Sequence, residues 1–97
     1  MATLYVEELA TMGLYGAAQI AARPGVAAQT VAIGGSSTQS SAFNAQTKFI
    51  RVHTDAICSI AIGSNPTATT SNCRLAADQT EYFGVQPGDK IAVITNS

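Results

Sequence analysis

The segment TKFIRVHT (residues 47–54) sets Ile50 and Val52 on one side and Phe49, Arg51 and His53 on the other. A period of two belongs to a strand with one buried face. It constrains the fold because similar short runs recur along the chain. AICSIAI follows almost at once, with Cys58, Ile60 and Ile62 on one face, so residues 47–62 read as strand, tight turn or bulge at Thr54-Asp55, and strand. TLYVEE opens the chain, VAAQTVAI (26–33) ends at Gly34-Gly35, TEYFGV sets Tyr82 against Phe83 and Val85, and KIAVIT closes it. Pro87-Gly88 before the last run suits the central positions of a type II turn, whose second position needs positive φ. Five to seven short strands with turn signals at roughly ten-residue spacing predict an all-β fold. The expected form is a small antiparallel β-sandwich or jelly-roll-like barrel.

Two stretches resist this pattern. LATMGLYGAAQIAARPG offers helix formers but is interrupted by Gly13 and Gly16 and stopped at Arg23-Pro24-Gly25. It is expected to be an extended or partly helical arm. The chain then divides into a strand and arm over 1–25 and a β-sandwich over 26–97, one domain overall. The second stretch is the polar loop IGSNPTATTSNCR, where Asn65-Pro66 starts a turn because the residue before proline leaves helical space.

Ninety-seven residues make one small domain that buries roughly 60–65% of its unfolded surface, so assembly is a natural source of extra stability. Only 11% of residues are charged, against an average of about 25%. Arg23, Lys48, Arg51, Arg74 and Lys90 form no cluster, which argues against nucleic acid as a partner. The uncharged run from Leu9 to Ala22 is shorter than the roughly 20 residues that span a bilayer. Glu7 and Glu8 stand where a signal peptide carries positive charge, so the reading is a soluble chain made in a cytoplasm, with no membrane partner.

Chemistry is sparse. His53, Asp55, Cys58 and Cys73 lack metal-ligand spacing, and no metal or cofactor is expected. On a strand His53 and Asp55 share a face, which allows a contact between them. No serine lies in a nucleophile elbow, Asp78 and Glu81 read as solvated carboxylates, and Gly34-Gly35-Ser36-Ser37 lacks the lysine and helix of a phosphate loop. Cys58 reads as a small core residue, Cys73 as a loop or strand-edge residue, and a disulfide is not expected in a reducing compartment. No catalytic residue is assigned, and the chain reads as a non-enzyme. Tyr82 and Phe83 are adjacent on one strand, so one of the pair faces out, a mark of an interface.

QTVAIGGSSTQSSAFNAQTKFIRVHTDAICSIAIG and PTATTSNCRLAADQTEYFGVQPGDKIAVI resemble small structural proteins of tailed bacteriophages. The pattern is an aromatic-x-R-V strand leading into T-D-A-I-C-S-I-A, then a P-T-A-T loop, T-E-Y-F-G-V and a final K-x-A-V-I strand. The likeness covers most of the chain, including MATLYVEE, and carries over no active residues. It implies a virion component assembled in the bacterial host cytoplasm. The expected role is a capsid decoration (cement) protein, with the major capsid protein or another virion protein and copies of itself as partners. Interface residues would be Leu9, Met12, Leu14, Tyr15 and Ile20 in an arm over residues 8–25 reaching an adjacent subunit, with Pro66, Thr67, Thr69 and Tyr82. The alternatives are a tail or neck adaptor, or a carbohydrate- or peptide-binding module using Tyr82 or Phe83 and the polar loops.

Overall fold

The computed structural model describes residues 2–10, 12–15, 18–21 and 26–96. These contain ten strands: β1 (Thr3–Leu9), β2 (Met12–Tyr15), β3 (Ala18–Ala21), β4 (Ala27–Ala32), β5 (Thr38–Gln39), β6 (Phe49–Thr54), β7 (Cys58–Gly63), β8 (Cys73–Leu75), β9 (Thr80–Gly84) and β10 (Lys90–Thr95). No helix occurs among the described residues. A first sheet runs β4-β1-β6-β9, a second β5-β10-β7-β8, and β2 and β3 form a separate two-stranded ribbon. Every pairing is antiparallel.

Alternation decides which face of each sheet is buried. On β6 Ile50, Val52 and Thr54 point inward and are buried, while Phe49, Arg51 and His53 are only half-buried. On β1 Leu4 and Val6 point inward, opposite Val31 of β4, and Tyr5 points outward. Their counterparts are Cys58 and Ile60 on β7 and Ile91 and Val93 on β10, and one apolar cluster joins the two sheets. Truncating a fully buried member such as Ile50 is expected to cost about 3 kcal/mol, lost transfer energy and a residual cavity together.

The described segment of the expected arm is extended rather than helical, in line with the two glycines that interrupt its helical pattern. Met12 pairs with Ala21 and Tyr15 with Ala18, while the residues at 11, 16, 17 and 22–25 lie outside the described set. The strand at 3–9 does not belong to that arm in space. It sits between β4 and β6, as an inner strand of the first sheet. Leu9, expected at an interface, falls on the outward side of β1 with Tyr5 and Glu7, yet it is 1% exposed within its own chain.

The junction at Thr54-Asp55 joins two strands that do not pair, since β6 belongs to the first sheet and β7 to the second. The chain arches between layers. Thr54 stiffens the arch, its hydroxyl donating to the Ala56 carbonyl at 2.6 Å and accepting from the Ala56 amide at 3.2 Å. Asp55 accepts from the Thr3 amide at 2.7 Å, which ties the arch to the start of β1. The Pro87-Gly88 turn forms as its chemistry requires: the Asp89 amide donates to the Gln86 carbonyl at 3.1 Å and Gly88 has φ +85°.

One polar group breaks the inward pattern. Glu8, in register with the core residues of β1, is 3% exposed. Its Oε1 accepts from the Asn44 amide at 2.6 Å and the Thr47 hydroxyl at 2.9 Å, and its Oε2 from Gln29 Nε2 at 3.0 Å. A buried carboxyl is costly unless its oxygens are satisfied, and these three donors meet that need. They also moor the 41–47 segment to β1 and β4. Gln29 extends the mooring by accepting from the Ser41 amide and donating to its carbonyl, as a neighbouring strand would.

Candidate functional surface

The sandwich has two outer faces. On the second sheet the outward positions are Ser59 and Ala61 of β7 and Ala92 and Ile94 of β10, cross-strand neighbours in register. Outward residues of a two-layer fold normally meet water, yet Ser59 and Ala92 are each 0% exposed. The polar loop 64–72 explains their burial. From the end of β7 it crosses β10 to β5, where Gln39 Nε2 donates to Asn65 Oδ1 at 2.9 Å and to the Pro66 carbonyl at 2.7 Å. The Ala68 amide then donates to Ser37 Oγ at 2.9 Å. On the return, Asn96 Nδ2 bridges Ser59 Oγ at 2.7 Å and the Thr70 carbonyl at 3.2 Å. Asn72 accepts from the Thr69 amide and hydroxyl, bracing the loop internally. Pro66 and Ala68 are buried beneath this strap, while Thr67 and Thr69 are exposed on top of it. Pro66 is therefore corrected from an expected interface residue to the inner side of a loop folded onto its own sheet.

No such strap covers the first sheet among the described residues. Its outward rows are Thr30, Tyr5, His53 and Thr80 in one line, Ala28, Glu7, Arg51 and Tyr82 in the next, and Leu9, Phe49 and Gly84 beyond it, where Leu9 is buried. Tyr5 (47%) and Tyr82 (54%) are the exposed large hydrophobic side chains of the described residues, and both stand on this face. Phe83, the neighbour of Tyr82, packs on the core, so the outward member of the pair is the tyrosine. Tyr5 lies 6.4 Å from His53 and Phe49 lies 6.5 Å from Tyr82 between ring centroids, both pairs tilted. Beside Tyr5 the small side chains of Ala28 and Thr30 leave an open depression of about 690 Å³, also lined by Glu7, Gln29 and Arg51.

His53 does not meet Asp55, the partner considered from sequence. Its Nδ1 is 2.8 Å from Thr80 Oγ1, donor and acceptor being set by the imidazole's tautomer. Its Nε2 is 3.9 Å from Asp78 Oδ1, beyond hydrogen-bond range, and Asp55 is engaged by Thr3. Asp78 is held at φ 62° by the turn that starts at Ala76, a conformation aspartate tolerates better than most residues. A hydroxyl, an imidazole and a carboxylate in sequence suggest a relay, but a relay needs the third group to orient the base directly. Here the carboxylate is 82% exposed and too distant to do so.

Glu81 accepts from Gln79 Nε2 at 2.7 Å. Cys58 is buried and Cys73 exposed, and both are free thiols. Burial pushes the Cys58 thiol above its ordinary pKa, while its hydrogen bond to the Thr54 hydroxyl acts in the opposite direction. Among the described residues no three His, Cys, Asp or Glu side chains are grouped to hold a metal ion, and no helix is long and apolar enough to cross a membrane.

Of the expected interface residues, the structure therefore leaves Thr67, Thr69 and Tyr82 exposed, and on different faces. The side chains of Met12, Leu14, Tyr15 and Ile20 lie outside the described set, although their backbones form the ribbon. Sequence reasoning passed over Tyr5 and Arg51. The signal was present, because Tyr5 falls between Leu4 and Val6 in a period of two. Comparison of the chain with protein-family models, curated proteins and solved structures returns no match.

Proposed function

We propose that the chain is a non-enzymatic structural protein of a tailed-phage virion, a decoration protein that reinforces the capsid by contacts between subunits. The observation that carries this reading is the β2–β3 ribbon, which pairs with neither four-stranded sheet. A two-stranded ribbon is marginal by itself in water. This one lies in a run without a charged residue from Leu9 to Ala22, so docking on a neighbour would supply the burial it needs. The sequence resemblance to phage structural proteins and the low charge of the surface support the same reading.

The fold suits that role as a jelly roll. The chain changes sheet at β4–β5, β5–β6, β6–β7, β8–β9 and β9–β10. Taken from β4, this is the jelly-roll path, with β1 in the slot between β4 and β6 that a strand after β10 would otherwise fill. The ribbon then lies in the connection between the paired strands β1 and β4.

The test is a reconstruction of the particle that carries this chain. Many copies on the head lattice, each with residues 12–21 against a neighbouring subunit, are expected. A ring restricted to the neck or tail, or a ribbon that contacts its own sandwich alone, would overturn the reading.

A further inference from the structure

We propose that the free edge of β9 pairs with the same edge of a second copy, joining two first sheets antiparallel about a two-fold axis at Tyr82. The inference stands apart from the capsid reading, because it rests on this edge and not on the ribbon.

The ladder shows which backbone groups are free. The Val85 amide donates to the Lys48 carbonyl and the Thr54 amide to the Gln79 carbonyl, both on the β6–β9 register. Antiparallel bonding alternates, so Glu81 and Phe83 bond to β6. Thr80, Tyr82 and Gly84 therefore turn their amides and carbonyls away from it. Among the described residues β6 is the one neighbour of β9 in its sheet, and a Cβ at Gly84 would meet no atom within 4 Å. Such an edge is a template for another strand.

The other three sheet edges are short or flanked. β5 has two residues, and Gln39 ties it to the 64–72 strap. β8 has three residues. β4 has six, but the 41–44 segment stands along it, bonded twice to Gln29. β9 offers five residues in unbroken register, with neither proline nor lysine to guard them.

The sequence of β9 suits its own copy. Centred on Tyr82, antiparallel pairing sets Tyr82 against its counterpart and Thr80 against Gly84 on either side of the axis. Each of these pairs exchanges two bonds, about six in all, and every outward group of the strand is used. Glu81, the strand's one charge, accepts from Gln79 and falls opposite Phe83 rather than another carboxylate. A register centred on Glu81 would oppose like charges. One centred on Phe83 would carry Thr80 past the end of the strand. The exposed Tyr82 ring, beside Phe49 on its own sheet, gains its counterpart across the axis. The contact is isologous and closed. An edge this short buries less than a standard interface, so pairing is weak and needs high concentration.

The experiment follows the full chain from micromolar to millimolar concentration by sedimentation and amide hydrogen exchange. Association is expected at the upper end, with protection rising at Thr80, Tyr82 and Gly84. It should not rise at Ala28, Thr30 and Ala32, which turn outward on β4. Tyr82→Lys sets like charges face to face, and Gly84→Pro removes an outward N–H while sparing the β6 ladder. Each should weaken this pairing by about tenfold. Mixing Tyr82→Lys with Tyr82→Glu should restore it, since this register sets position 82 against itself. Melting curves of the variants distinguish lost pairing from lost fold. The proposal is overturned if the chain stays monomeric at millimolar concentration, or associates without protecting these three amides. It is also overturned if pairing survives Tyr82→Lys, if the mixed variants fail to recombine, or if β4 is protected as well, which would mean head-to-tail pairing of β4 with β9. A variant with the ribbon replaced by a two-residue turn should keep the β9 pairing, and so reports on the assembly reading separately.

Discussion

The outer face of the second sheet and the outer face of the first are built from the same element, an antiparallel four-stranded sheet, and meet solvent in opposite ways. The second carries small outward residues, Ser59, Ala61 and Ala92, and is closed by the 64–72 strap. The first carries Tyr5, Arg51, His53 and Tyr82, and among the described residues no loop crosses these rows. Small side chains let a loop's backbone lie close to a sheet, whereas rings and long side chains hold it off. The difference teaches where to look for a partner: among the described residues one face is covered internally, while the other keeps exposed rings at Tyr5 and Tyr82.

The sharpest way to break this comparison is to place one substitution on both faces. Ala92→Arg puts a charged, bulky side chain under the strap and should cost about 3 kcal/mol or more, measured by urea unfolding. Thr30→Arg, outward on the open sheet, should change stability by no more than about 0.5 kcal/mol. Equal effects would remove the distinction between the faces.

Glu8 anchors the rim of the open face from below. Glu8→Ala removes the acceptor of the Asn44 amide, the Thr47 hydroxyl and Gln29 Nε2, and should cost about 2–3 kcal/mol. A loss of a few tenths would show that the 41–47 segment is held by other contacts. Asn96→Ala should cost about 1 kcal/mol, because it removes the link between Thr70 of the strap and Ser59 of the sheet. The amide of Ala68 should then exchange with solvent faster in that variant.

Much of this architecture could be read locally. The alternation of FIRVHT, the paired Pro87 and Gly88, and the apolar Cys58 each depend on neighbours a few residues away, and each takes its expected place. What could not be read depends on distant partners. The strap looked like an exposed polar loop because Ser37, Gln39 and Asn96, which hold it down, lie 25 or more residues away in the chain for most of its bonds. The burial of Glu8 could not be read locally because its donors come from residues 29, 44 and 47. The Thr54-Asp55 junction is equally short whether it closes a hairpin or an arch between sheets. Glycine and alanine in the 12–21 segment left helix and strand balanced until pairing decided between them.

The cysteines give the gentlest test. Cys73, exposed on β8, should react with a thiol reagent in the native state, and Cys58 only on unfolding. The raised pKa of Cys58 favours the folded chain at pH below the thiol's unfolded value. That contribution fades as pH rises from the unfolded pKa through the folded one. The melting-temperature difference between the native chain and Cys58→Ala should therefore narrow across that alkaline window, as scanning calorimetry can follow.

The contrast between the faces can be measured directly with alanine methyl groups as reporters. Ala28 and Ala32 stand outward on the first sheet and are exposed, while Ala92 stands outward on the second and is 0% exposed. With a soluble paramagnetic agent, the Ala28 and Ala32 methyl resonances should broaden strongly and that of Ala92 should stay sharp. Comparable broadening at Ala92 would contradict the strap and, with it, the assignment of the first sheet as the face left open for a partner.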